Sequence, residues 1–152
     1  MCVIVDANVA ALVFSPAPAD DFAPVRRWLD DPRKDGRLVY GGQLARELEK
    51  LGAARRYLKS LAQAGRALFY PDAQLQREQT ALADTPAVRS DDPHVLALAR
   101  ISGARTLCSN DEALREDFKD SALISRPRGN LYTRSEHVHL LRHTRSCGHR
   151  RR

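Results

Sequence analysis

Short apolar runs alternate along this chain with longer stretches whose apolar residues recur at helical spacing. The runs are CVIV at 2–5, RLVYGG at 37–42, RALFY at 66–70, ARTLCS at 104–109 and ALIS at 122–125. Val3, Ile4 and Val5 are consecutive β-branched residues, a pattern for a strand covered on both faces rather than wetted on one. Strands of that kind separated by helices predict a parallel sheet between two helical layers. The expected fold class is therefore α/β, a three-layer α/β/α arrangement around a mostly parallel sheet of about five strands.

The intervening stretches carry helix signals. Asn8 to Phe14 is stopped by Pro16 and Pro18, and Asp21 to Asp31 is closed by Pro32, with Phe22, Val25, Trp28 and Leu29 on one face. Leu44, Leu48 and Leu51, then Leu58 and Leu61, mark two helices parted at Gly52 and ended at Gly65. Pro71 to Leu82 and the segment from Pro93 follow, Pro93 suiting a first helical turn. In NDEALREDF, Ser109 and Glu112 read as a capping box. Arg126 to Tyr132 reads as loop, and SEHVHLLRHTR as a final helix.

At 152 residues, 43% of them hydrophobic, the chain is expected to form one domain with one core, and it is not disordered as a whole. No apolar run has the length of a bilayer span. MCVIVDANV lacks the basic start of a secretory signal. Cys2, Cys108 and Cys147 make no disulfide framework, so a cytoplasmic, reducing setting is expected, with Cys108 a buried apolar residue of its strand. The net charge of +6 is unevenly spread: residues 126–152 hold eight arginines against one acid, Glu136. The body is near neutral. Such a basic end suits phosphate neutralisation on nucleic acid, or equally a solvated surface.

Carboxylates sit where the strands end. In open parallel sheets, ligands bind outside the carboxyl ends of the strands. Asp6 follows the first strand, Glu47 lies early in the helix after the second, Asp92 starts the helix of HVLALAR, and Asp111 follows RTLCS. Each has an ordinary explanation: Asp92 as a cap before proline, Asp111 as a helix-dipole partner, Glu47 as a solvent-facing residue. Four at equivalent positions are harder to explain so. A cluster would raise its own pKa values unless a cation sat among the acids, and oxygen-only ligands suit Mg²⁺ or Mn²⁺. Such ions serve phosphodiester hydrolysis. No histidine or cysteine holds a comparable place in the strand order.

These motifs resemble the PIN-domain ribonucleases, especially the small VapC-like toxins of bacterial toxin–antitoxin pairs. The matching pieces are VIVDAN at 3–8, LAREL at 44–48, DDPHVLALA at 91–99 and ARTLCSND at 104–111. The resemblance implies a PIN-like nuclease domain over 1–132 and a basic C-terminal helix and tail over 133–152. It implies a metal-dependent endoribonuclease with Asp6, Glu47, Asp92 and Asp111 as catalytic acids and ligands of Mg²⁺ or Mn²⁺. Asn8 would orient Asp6, Ser109 would be a polar neighbour, and Asp117 would be a further acid. Asp91 competes with Asp92 for the third position; Asp92 is preferred because Val95, Leu98 and Ala99 follow it at helical spacing. The implied chemistry is in-line attack of water on a backbone phosphate, without a covalent intermediate. A cognate antitoxin and a homodimer follow from the resemblance alone.

The C-terminal part departs from those toxins. Arg126, Arg128 and Tyr132 could line a groove for an RNA strand, with Tyr132 stacking on bases, or could be ordinary loop. His139, His143, Cys147 and His149 match no familiar zinc spacing. Rival readings are a PIN nuclease of RNA processing or phage defence, a non-catalytic RNA-binding module, and a phosphate-receiving signalling domain. The acid cluster disfavours a pure binder, since it would repel phosphates. A signalling domain would need a strand-end lysine, where this chain has Arg126.

Overall fold

The computed structural model describes residues 2–141. Five strands form one all-parallel sheet: β1 (Cys2–Val5), β2 (Arg37–Gly41), β3 (Ala67–Tyr70), β4 (Thr106–Cys108) and β5 (Asn130–Leu131). Their order is β3-β2-β1-β4-β5. The chain steps outward from β1 to β3, then returns to lay β4 against the other flank of β1. The direction of winding therefore switches between β1 and β4, where such sheets open a crevice at their carboxyl ends.

Seven α-helices fill the crossovers: α1 (Ala7–Phe14), α2 (Ala23–Asp30), α3 (Gly42–Glu49), α4 (Gly52–Gln63), α5 (Asp72–Ala83), α6 (Pro93–Ser102) and α7 (Glu112–Lys119). Helices α1 and α4 pack together, and α5 lies along α6. With the sheet between helices, the architecture is the expected α/β/α sandwich. β1 is buried along its whole length, as its unbroken apolar run requires. No helix among the described residues is long and apolar enough to cross a membrane.

Local chemistry fixes where the helices begin and end. Gly41 has a φ of 158°, and a Cβ there would meet the Tyr70 carbonyl oxygen at 2.0 Å, so only glycine lets β2 turn straight into α3. That immediate turn holds Glu47 close to the sheet edge. Pro93 opens α6, and Gly103, at φ 82°, closes it with its N–H on the Ala99 carbonyl.

Two expectations are corrected. ALIS is not a strand: residues 122–125 form a turn, and the last strand is Asn130–Leu131, inside the expected loop. Arg100 donates to the Leu123 carbonyl, and Arg105 to those of Ser125 and Pro127, so these acceptors are taken by guanidinium groups rather than a ladder. The last helical segment is a 3₁₀ helix over Ser135–Leu141; the rest of the expected helix lies outside the described residues. Cys108 is a free, buried thiol as expected.

Candidate functional site

Asp6 leaves β1 as the N-cap of α1, with Oδ1 accepting from the Ala7 N–H at 2.8 Å. Ser109 leaves β4 beside it and donates its hydroxyl to Asp6 Oδ2 at 2.9 Å. The same hydroxyl accepts from the Asp111 N–H at 3.1 Å, so one buried serine ties both strand ends together. Asp111 is the N-cap of α7, its Oδ1 accepting from Leu114 N–H at 3.1 Å; the capping box expected at Ser109 is therefore replaced by an aspartate cap.

Asp92 stands at the N-cap position of α6, yet its side chain makes no capping bond. It faces the other acids instead. Burial, and then the charges of Asp6, Asp111 and Glu47 together with a hydrogen bond shared with Asp111, push its carboxyl up to about 6. Asp6 is also raised, by burial first and with Glu47 adding to it, although the bonds from Ser109 and Ala7 pull the other way. Glu47 completes the set from α3, one oxygen accepting from Gln43 Nε2 at 3.2 Å. The structure thus brings together all four expected acids at the winding switch, and at the third position it is Asp92 that meets them, while Asp91 is exposed.

The secondary residues are placed differently from expectation. Asn8 Oδ1 accepts from Asn110 N–H at 3.4 Å, steadying the β4–α7 loop; Asp6 is held by Ser109 and Ala7, not by Asn8. Asp117 is fully buried, and its carboxylate accepts from the backbone N–H groups of Arg89 and Ser90 and from the Arg89 guanidinium. It secures the loop that delivers Asp92. Tyr132 cannot stack on bases: it is fully buried, packed on Phe22, with its hydroxyl donating to the Asp21 carbonyl at 2.6 Å. Arg126 and Arg128 are exposed but precede β5, at the amino ends of the strands, opposite the acids. Cations near the acids include Arg46, one residue before Glu47 and paired with Asp72, and Arg115, whose Nε donates to the Ser109 carbonyl.

One residue escaped the sequence reading. His94, two residues after Asp92, is 3% exposed, with Nε2 at 3.5 Å from Glu47 Oε1. Burial lowers its pKa below the ordinary value, opposed by the charges of Glu47 and Asp6. It sits in an apolar run, VLALA, where a histidine reads as core. Its signal was its place in the first turn of α6, beside the third acid. His139 is exposed, and its expected companions His143, Cys147 and His149 lie outside the described residues.

Among the described residues, no group of three or more His, Cys, Asp or Glu side chains is arranged to hold a metal ion as it stands. The donor chemistry nonetheless fits a hard divalent cation. Asp92 faces the charges of the other three acids; it and Asp6 are held above their ordinary pKa by burial first and then by neighbouring charge, and a cation would relieve the charge part. No family model and no curated protein matches the chain.

Proposed function

We propose that this protein is a divalent-cation-dependent endoribonuclease that hydrolyses RNA phosphodiester bonds, and that it acts as the toxin of a toxin–antitoxin pair. The observation that carries the nuclease reading is the meeting of Asp6, Glu47, Asp92 and Asp111 at the winding switch, with Asp92 pushed up to about 6. A carboxyl kept partly protonated near neutrality gains by ionising beside a cation, and gains nothing as a cap it does not make. The toxin role rests on the resemblance of the four motifs to the VapC-like family.

In this reading Asp6, Glu47, Asp92 and Asp111 would hold Mg²⁺ or Mn²⁺. Such an ion lowers the pKa of water and stabilises charge on the phosphoryl oxygens. The protein's own groups set the geometry. Ser109 fixes Asp6 and the start of the Asp111 loop relative to each other. Asp117 anchors the backbone of Arg89 and Ser90, so that Asp92 arrives at a fixed point. Gln43 restrains Glu47. One of the four carboxylates would also accept the proton of the attacking water.

The test is cleavage of a mixed RNA pool with Mn²⁺ or Mg²⁺ by the wild-type chain and by Asp6→Asn. Cation-dependent cutting, with a loss of at least ~100-fold in the variant, is expected for removal of a ligand charge. Binding of RNA without cutting under either ion would overturn the reading and leave an RNA-binding module.

A further inference from the structure

His94 is the one residue among the described residues whose buried side-chain nitrogens lack a hydrogen-bond partner, and both Nδ1 and Nε2 are bare. One ring nitrogen of a histidine always carries a proton. A buried donor left unmade costs stability, and a phenylalanine or leucine would fill the same space without that cost. A ring kept there at a loss needs a use for its nitrogen.

The polar group nearest to it is Glu47. His94 Nε2 lies 3.5 Å from Glu47 Oε1, just beyond a formed hydrogen bond, while Gln43 Nε2 holds Oε2 at 3.2 Å. Glu47 is only a third exposed, and so it stands between two donors, one on each oxygen. Carboxylate ligands are commonly fixed in this way by donors behind them, and loss of such a donor weakens cation binding.

We propose that His94 is a positioning residue for Glu47: its Nε2–H closes onto Oε1 as Glu47 turns toward a divalent cation, so that Gln43 and His94 together set the direction of the carboxylate. This rests on the reading of the four acids as a cation site. It identifies the histidine as a partner of one ligand, and predicts that the ring acts through Glu47 rather than on RNA.

The experiment uses the full chain and Mn²⁺ alone. Calorimetric titration of wild type, His94→Phe and His94→Gln is expected to give ~10-fold weaker binding for the phenylalanine variant, the lower end of the effect of losing such a donor. The glutamine variant, whose amide N–H reaches a similar position, should recover most of that affinity. The metal-free unfolding midpoint of His94→Phe should be unchanged or higher, which separates positioning from packing. Mn²⁺ binding by His94→Phe equal to wild type overturns the inference. Should His94→Phe fail to fold, long-range ¹H–¹⁵N spectra of the wild-type ring decide instead. An Nε2–H tautomer whose signal shifts in Glu47→Gln supports the inference, and an Nδ1–H tautomer overturns it while the cation site stands. A wild-type chain that binds no Mn²⁺ overturns the cation reading, and this inference with it.

Discussion

Replacing Asp92 by asparagine should make the metal-free protein more stable at neutral pH. Asp92 loses its proton near 4 in an unfolded chain and near 6 in the fold, so the folded state binds more protons between those values. The contribution is therefore fully present below about 4 and is lost as the pH rises through 6. In a sealed site the full difference would be worth ~3 kcal/mol at pH 7. Asp92 is partly exposed, and solvent screening reduces that to ~1 kcal/mol. Asparagine keeps the shape and removes the charge. In EDTA, thermal melts at pH 7.5 should place Asp92→Asn ~2–4 °C above wild type, the shift ~1 kcal/mol produces in a chain of this size. The gap should close by pH 4.5. Saturating Mn²⁺ should reverse the order, because only wild type keeps the complete ligand set, and a ligand at a hundred times its dissociation constant adds ~2.7 kcal/mol. An asparagine variant no more stable than wild type at pH 7.5, or a gap that does not change with pH, would refute the account of the cluster.

Two further outcomes test what surrounds the site. Asp117→Ala should cost ~3 kcal/mol in urea unfolding, since it strands two backbone N–H groups and a guanidinium on a fully buried acceptor; a loss under ~0.5 kcal/mol would mean that the loop before α6 is held by something else. Tyr132→Phe should lose ~1 kcal/mol through the missing bond to the Asp21 carbonyl, with RNA affinity unchanged, and an unaltered stability would contradict the buried position of the hydroxyl.

Much of this fold is local, and was legible for that reason. Val3-Ile4-Val5 are β-branched and apolar on both faces, and Asp6 follows because the strand ends there; both facts lie within four residues. Pro93 and Gly103 bracket α6 in the same local way. The errors share the opposite property. ALIS has strand propensity, but its carbonyls belong to Arg100 and Arg105, about twenty residues earlier in the chain. Tyr132 follows a loop-like stretch, and contacts more than a hundred residues away, to the Phe22 ring and the Asp21 carbonyl, make it core. Asn8 lies two residues from Asp6 but bonds to Asn110. His94 was hidden by its apolar neighbours, because the feature that distinguishes it, two nitrogens without partners, is a property of the packed interior.

The ordinary explanation for acids at strand ends is helix capping, and the four do not share it equally. Asp6 and Asp111 cap α1 and α7 through side-chain hydrogen bonds, so their placement alone would not require a ligand. Asp92 has the cap position without the bond, and Glu47, in the last turn of α3, has no helix N-terminus to cap. Both also face like charges, an arrangement that lowers stability in the absence of a counter-ion. Unrelieved like charge with no local structural return, at the crevice where the winding of the sheet reverses, is what the proposed cation site would account for. The proposed cation site therefore rests on Asp92 and Glu47 more than on Asp6 and Asp111, whose carboxylates have capping bonds of their own.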